Sequence, residues 1–280
     1  VVDDLKSAEW SGNGPVRIVL RLIYRFCESD IVQDVIFYTK SRRIDFKTYV
    51  DWKQHQLLMK TEFEIDVNAS EATYDIQFGS LKRPTHKNTS WDGAKFEVCG
   101  HKWADVSEGG YGVSILNDCK YGHDIHDGKM TLSLIKSGIL PNPTTDQEEH
   151  FFTYALLPHI GDYNAAYVQK EAYCLNVPAV ALRMEQDGNG TFDAASLFTL
   201  SADNVIAETV KPAEDGSGII VRMYEDHNAR TAVTLTWHTE MKRIVECDLM
   251  ENEIGEAAEQ IADYTFTIKP FEIKTFKICE

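Results

Sequence analysis

The sequence contains no apolar run approaching the roughly 18 residues needed to cross a bilayer as a helix. Its opening residues, VVDDLKSAEW, lack the basic and apolar regions of a secretory signal, so the pattern predicts a chain that neither spans nor targets a membrane. No C-x-x-C pair occurs among the six cysteines, Cys27, Cys99, Cys119, Cys174, Cys247 and Cys279, which excludes a zinc ribbon. Scattered in this way they read as reduced, buried thiols of a cytoplasmic protein. Basic charge is scarce. With 28 Lys and Arg against 44 Asp and Glu, the net charge of −16 opposes binding to nucleic-acid phosphates. There is no G-x-S-x-G elbow, and the EGGYG stretch beginning at Glu108 does not join a strand to a helix, so serine-hydrolase and nucleotide chemistry find no support. Internal repeats and low-complexity tracts are also missing. The N-x-S/T triplets at Asn68, Asn88 and Asn189 are no more than chance supplies.

What the chain does have is strands. From Val16 to Phe26 the even positions are apolar while Arg17, Arg21 and Arg25 fall on odd ones, the period of a strand with one buried face. IVQDVIFYT, RRIDFKTYVDW, HQLLMKTEFEIDV, KFEVCGHKWADV, YGVSIL and MTLSLI continue the series, divided by Pro84, the Asn88–Asp92 stretch and Gly109-Gly110. One segment differs: GDYNAAYVQKEAYCLN places Ala166, Val168, Ala172 and Tyr173 on an imperfect helical stripe that Pro178 closes. Beyond it, turn signals from Asp187 and from Glu214 surround GIIVRMYE and TAVTLTWH, and Pro270 forces a kink between Ile268 and Phe271. The expected class is all-β, as two antiparallel sandwich units over 1–180 and 181–280, divided between 178 and 196. A first strand that begins with nothing before it to cover its apolar face suggests a chain lying inside a larger architecture.

Candidate chemistry concentrates between Trp91 and Tyr121. His101, Asp105, Ser107, Glu108, Asp118 and Lys120 are competent acids, bases and donors, although polar residues at strand ends and turns are the better account of any single one. On a strand His101, Trp103 and Asp105 share one face. HDIHDGK offers four metal-ligand side chains in His123, Asp124, His126 and Asp127, but a three-residue histidine spacing shares a face on a helix and not on a strand. Asp127-Gly128 is a hairpin signal, and the segment is predicted to be a turn that binds no metal. Trp52 and Trp103 are expected to fill the core. Trp91, in the polar setting NTSWDG, is a candidate to stack on a sugar ring.

A dense resemblance covers nearly the whole chain. RPTHKNTSWDGAKFEVCGHKWADVSEGGYGVSILNDCKYGHDIHDGKMTLSLIKSGILPNPTTDQEEHFFTYALLPH, from Arg83, resembles the C-terminal β-region of glycoside hydrolase family 38, the α-mannosidases, in its cytosolic and bacterial branch. The similarity extends through IDFKTYVDWKQHQLLMKTEFEIDV and YDIQFG upstream, and through EAYCLNVP, NVIAETVKPAEDGSGIIVRMYE and KPFEIKTFKI downstream.

The resemblance implies an antiparallel β-supersandwich of galactose mutarotase-like fold followed by a smaller C-terminal β-sandwich. It also implies retaining hydrolysis of α-mannoside oligosaccharides by an aspartate nucleophile and one zinc ion. Those groups belong to an N-terminal catalytic domain of the same enzyme, and none has a matching position here. The 280 residues are therefore expected to supply no catalytic residue and no metal ligand, and to act as scaffold and lid. Loops of the β-region lean over the sugar site in the family, and the candidate substrate-binding residues are Asn117, Asp118, Lys120 and Tyr121 in one turn, with Trp91. Some family members carry arginine where this chain has Asp118, Cys119 and Lys120. Two other readings are an autonomous carbohydrate-binding module and an aldose epimerase using His101 and Glu108 as base and acid.

Overall fold

The computed structural model describes residues 1–183 and 195–279. The turn signal at Asp187, the Asn189 triplet and most of the expected 178–196 division lie outside the described residues. Two compact units are present: Val1–Ile76 with Leu81–Val180, and Gln77–Ser80 with Ala181–Glu280.

In the first unit the chain runs β1 (Leu5–Asn13), β2 (Arg17–Phe26), β3 (Ser29–Tyr38), β4 (Ile44–Asp51), β5 (Leu58–Glu64), β6 (Glu71–Ile76) and β7 (Gly79–Pro84). A single helical turn, α1 (Ser90–Gly93), precedes β8 (Val98–Cys99), β9 (Trp103–Ser107) and β10 (Tyr111–Asn117). Then come β11 (Gly122–His126), β12 (Lys129–Lys136), β13 (Glu149–Ile160) and α2 (Val168–Asn176). A nine-stranded sheet is ordered β1-β2-β3-β4-β13-β10-β9-β6-β7, and a four-stranded sheet β5-β12-β11-β8. The strands pair antiparallel in both sheets, with Leu116 opposite Trp103 in the larger and Met130 opposite Phe63 in the smaller.

The alternation that predicts these strands also builds their core. Ile31, Val50, Tyr74, Ala104, Val106 and Ile115 of the large sheet share one cluster with Ile125, Met130, Leu132 and Leu134 of the small one. Each fully buried side chain of this size contributes about 1.5–3 kcal/mol. A register shift between Ser133 and Ile135 turns Ile135 inward beside Leu134. Trp52 and Trp103 are both buried, as expected, with Trp52 stacked on Phe26 at 5.9 Å. The even face of β2 is buried only toward its end. Tyr24 and Phe26 pack on the core, whereas Val16 and Ile18 are exposed, at the β1–β2 end of the nine-stranded sheet.

α2 lies where the helical stripe predicts it. Val168 and Ala172 close a second cluster on Trp103, Leu116, Ala155 and Leu157, on the face of β9, β10 and β13 opposite the main core. The cysteines depart from expectation: all six are free, but Cys27, Cys99, Cys119 and Cys174 are exposed rather than buried. They sit at turns, strand ends and the outer side of α2.

In the second unit β14 (Phe198–Leu200), β17 (Thr231–Trp237) and β20 (Asp263–Ile268) form one sheet. The other is β15 (Val205–Pro212), β16 (Ile219–Glu225), β21 (Ile273–Cys279), β18 (Arg243–Cys247) and β19 (Ala258–Glu259). Met223, Leu235, Trp237, Ile244 and Phe276 fill the space between them. Pro270 marks the crossing, since β20 pairs with β17 and β21 with β16 and β18.

Candidate functional site

β10 ends at Asn117, and the residues leading into β11 are held by side-chain bonds. The Asn117 side chain is buried. Its Nδ2 donates to the His101 carbonyl at 2.7 Å, and its Oδ1 accepts the Lys120 N–H at 2.7 Å. The Asn117 carbonyl accepts from Asn176 Nδ2 of α2 at 3.0 Å, so this buried residue locks the turn. Asp118 continues the lock: its N–H donates to the Thr153 carbonyl at 3.1 Å and its Oδ2 accepts the Thr153 N–H at 2.8 Å.

The three residues that follow form the outer part of the turn. Partial burial and the neighbouring Asp118 carboxylate push the Cys119 thiol up to about 11, so it is protonated at neutral pH and is no nucleophile. Lys120 Nζ stands 4.7 Å from the Phe152 ring centroid. Tyr121 is exposed, with its ring 5.3 Å from that of His101.

Asp118 also borders a groove of about 460 Å³ across β2, β3, β4 and β13. The registers place Arg21 opposite Asp34, Asp34 opposite Lys47 and Lys47 opposite Thr153, forming one polar row. Arg21 grips Asp34 through Nε and Nη2 at 2.7 and 2.8 Å, and this hydrogen-bonded guanidinium holds the Asp34 carboxyl below the usual carboxylate range. Beside the row Phe151 is 71% exposed, 5.0 Å from the Tyr49 ring, and Tyr49 Oη donates to Glu149 at 2.8 Å. An exposed aromatic face flanked by fixed polar groups suits the apolar face and hydroxyls of a sugar ring.

Sequence reasoning missed Phe151, Tyr49, Arg21 and Asp34. Each stands at an outward strand position, which alternation marks, but the pairing that brings four strands together is not written in any one of them. Trp91, by contrast, is solvent-exposed on α1, whose Thr89 cap accepts the Asp92 N–H at 3.1 Å. No hydrogen bond, ion pair or ring contact among the described residues joins Trp91 to the turn at 117–121.

The HDIHDGK segment is a hairpin. Asp127 and Gly128, at φ 50° and 72°, connect β11 to β12 with His126 opposite Lys129. His123 is buried, while His126 stands 3.1 Å from Asp124 and 3.2 Å from Asp127. Among the described residues no group of three or more His, Cys, Asp or Glu is placed to hold a metal ion, so the zinc that the family resemblance implies does not fit these side chains. His101 and Glu108 do not meet as base and acid, since the five residues of β9 separate them by roughly 13 Å or more. Glu108 is engaged with the Asn68 N–H at 2.9 Å. Asp105 is instead buried against His159, Ser114 and Ser107.

The family described as "Glycosyl hydrolases family 38 C-terminal domain" matches residues 1–144, and "Glycosyl hydrolases family 38 C-terminal beta sandwich domain" matches residues 204–276. The chain is similar to alpha-mannosidase G of Dictyostelium discoideum, 38% identical over 275 residues, which are 95% of this chain and 25% of that protein. It is also similar to alpha-mannosidase 2C1 of Homo sapiens, 38% identical over 250 residues, 88% of this chain and 24% of the relative. The chain thus spans about a quarter of the length of these relatives. The crystal structure of an alpha-mannosidase from Enterococcus faecalis V583 superposes with a TM-score of 0.80 at 16% identity, over 97% of this chain and 34% of that one, and shares its fold.

Proposed function

The chain belongs to glycoside hydrolase family 38, and from that premise we propose that it is the C-terminal β-region of a retaining α-mannosidase acting on mannose-containing oligosaccharides. It would serve as scaffold and lid for the N-terminal catalytic domain of the same polypeptide, in a cytoplasmic setting where free thiols stay reduced. The supersandwich would occupy 1–180 and the smaller sandwich 181–280. Nucleic acid and membrane are not among its partners in this reading.

One observation carries the division of labour. Retaining hydrolysis needs a nucleophilic carboxylate and a proton donor about 5–5.5 Å apart. The carboxylates of the candidate surface are not arranged as that pair: Asp34 is ionised against Arg21 and offers no proton at neutral pH, and Asp118 spends Oδ2 on the Thr153 N–H and keeps only Oδ1, buried and without a partner, for a sugar hydroxyl. This supports binding and positioning, with the reacting groups and the zinc ion in the catalytic domain.

Within the turn Asn117 fixes the backbone, Asp118 and Lys120 present charge to sugar hydroxyls, and Tyr121 offers a ring face. Trp91 would contact a longer oligosaccharide from its own loop. The direct test is hydrolysis of an aryl α-mannoside with zinc present. The expected result is turnover by the full-length enzyme and none by the 280-residue chain; zinc-dependent release of mannose by the chain alone overturns the reading.

The Phe151 groove favours a second reading, an autonomous carbohydrate-binding module. Calorimetric titration of the chain with mannobiose decides between them, because an independent module saturates and a lid does not.

A further inference from the structure

A separate pocket lies on the first unit, between β7, the α1 loop and β11. Its wall is Tyr74, a core residue with Arg83 stacked over its face, the guanidinium carbon 4.6 Å from the ring centroid. His123 meets the same ring edge-on at 5.9 Å. A Cβ at Gly100 would stand 3.0 Å from His123 Cδ2 and 3.1 Å from Tyr74 Cδ1, so the glycine is what lets the two rings pack this closely against the chain.

Two features of this wall are costly without a ligand. His123 is fully buried and neither ring nitrogen has a hydrogen-bond partner, and Arg83 Nη1 is buried without an acceptor. Buried polar groups are almost always paired, and an orphan forfeits the hydrogen bonds it had in water. Burial and the nearby Arg83 charge lower the His123 pKa to about 4, which leaves a neutral ring with one N–H to donate and no positive charge to hide.

The charge pattern at the mouth shows what would be welcome. Lys87 is 3.8 Å from Asp124, and Lys95 is 3.9 Å from Asp92. Arg83 has no carboxylate within ion-pair reach among the described residues, so the pocket carries one uncompensated positive charge in a chain of net charge −16. The pocket is small, about 30 Å³, so the charged end of a ligand enters and the remainder stays at the mouth. A planar guanidinium with a free N–H is matched by an oxyanion better than by a hydroxyl.

We propose that the pocket formed by Tyr74, Arg83 and His123 binds a phosphate-type oxyanion, free or carried on a sugar, through one oxygen seated against Arg83 with Lys87 and Lys95 facing the rest. The site is distinct from the turn at 117–121 and stands whether or not the lid reading holds.

The test is titration of the chain with inorganic phosphate at neutral pH and constant ionic strength, following the ring carbon-bound proton signals of His123. The expected result is a saturating shift that chloride does not reproduce and that Arg83→Gln weakens by at least about tenfold. Should Arg83→Gln fail to fold, Lys87→Ala with Lys95→Ala, both solvent-accessible, is expected to weaken binding several-fold. Mannose 6-phosphate and mannose separate the sources: tighter binding of the former than of phosphate assigns a phosphorylated sugar, and equal binding assigns the free anion. An unmoved His123 signal, a shift that does not saturate, affinity unchanged in the folded variants, or an equal response to unmodified mannose overturns the proposal.

Discussion

Nε2 of His159 on β13 lies 2.7 Å from Oδ2 of Asp105 on β9, with both side chains almost fully excluded from solvent. Ser114 Oγ donates to the same oxygen at 2.7 Å, Ser107 Oγ donates to Oδ1 at 2.5 Å, and His159 Nδ1 faces the Gly161 carbonyl at 3.1 Å. Both serines spend their hydroxyl protons on the aspartate and neither reaches the histidine, so the cluster is not a nucleophile with its base. It ties three strands of the large sheet together. Removing the shared acceptor leaves a buried imidazole and hydroxyls without a partner, and Asp105→Ala is expected to destabilise by about 3–5 kcal/mol. Urea unfolding checks this: the midpoint falls while the slope is unchanged. Ser114→Ala, which removes one donor of several, is expected to cost about 1 kcal/mol.

Gly112 makes room for that cluster. A Cβ at this position would lie 2.3 Å from His159 Cε1 and 2.4 Å from Ser107 Oγ. The imidazole is held at both nitrogens and cannot yield without breaking a bond. Gly112→Ala is therefore expected to cost about 1–3 kcal/mol as overpacking. Gly93, whose added Cβ would meet nothing, is the control, and thermal unfolding of the two alanine variants separates them.

These two cases show where sequence reasoning reaches its limit. Asp127-Gly128 announces its own turn because the positive φ values it needs are favoured by its residue types. Pro270 announces its kink because the ring cannot continue a ladder, and α2 is legible from the spacing of Val168 and Ala172. All three signals are local. The Asp105 cluster draws on residues up to 54 positions apart, and the groove joins Arg21 to Thr153 through two intervening strands. Strand order decides both, and alternation within a strand is silent about its neighbours. The same silence covers Val16 and Ile18: their pattern promises a buried face, yet they stand exposed at the β1–β2 end of the sheet. At the turn, the residue type of Asn117 suggests a ligand for hydroxyls, whereas its bonds to His101 and Lys120 make it a brace.

His123 gives the fold a pH dependence whose sign follows from its burial. Its folded pKa, about 4, lies below the ordinary value of 6.5, so between these values the unfolded chain takes up a proton that the folded chain refuses. Stability present above pH 6.5 is lost as pH falls toward 4, by up to about 3 kcal/mol. Urea midpoints measured across this interval are expected to drop more steeply for the natural chain than for His123→Phe, which keeps an aromatic edge against Tyr74 and has no proton to bind. Equal slopes would show that His123 is not the titrating group.

Lys120 distinguishes a lid from a passive scaffold. Its ammonium rests 4.7 Å from the Phe152 ring centroid, a contact worth about 0.5–1 kcal/mol at such a site, so its loss alone perturbs the fold little. Its backbone N–H, which Asn117 holds, survives any side-chain change. A charged hydrogen bond to substrate is worth about 1.5–3 kcal/mol. In the full-length enzyme Lys120→Ala is accordingly expected to lower kcat/KM by roughly 10- to 100-fold with little change in Tm. Lys120→Met, which keeps the apolar stem over Phe152, is expected to lose as much activity while recovering the stability. A fall in KM-related binding with kcat preserved would place the lysine on a part of the sugar held equally in ground and transition states, and an equal fall in kcat would place it near developing charge. Unaltered kcat/KM in both variants would remove Lys120 from the sugar site and leave the turn as a brace between β10 and α2.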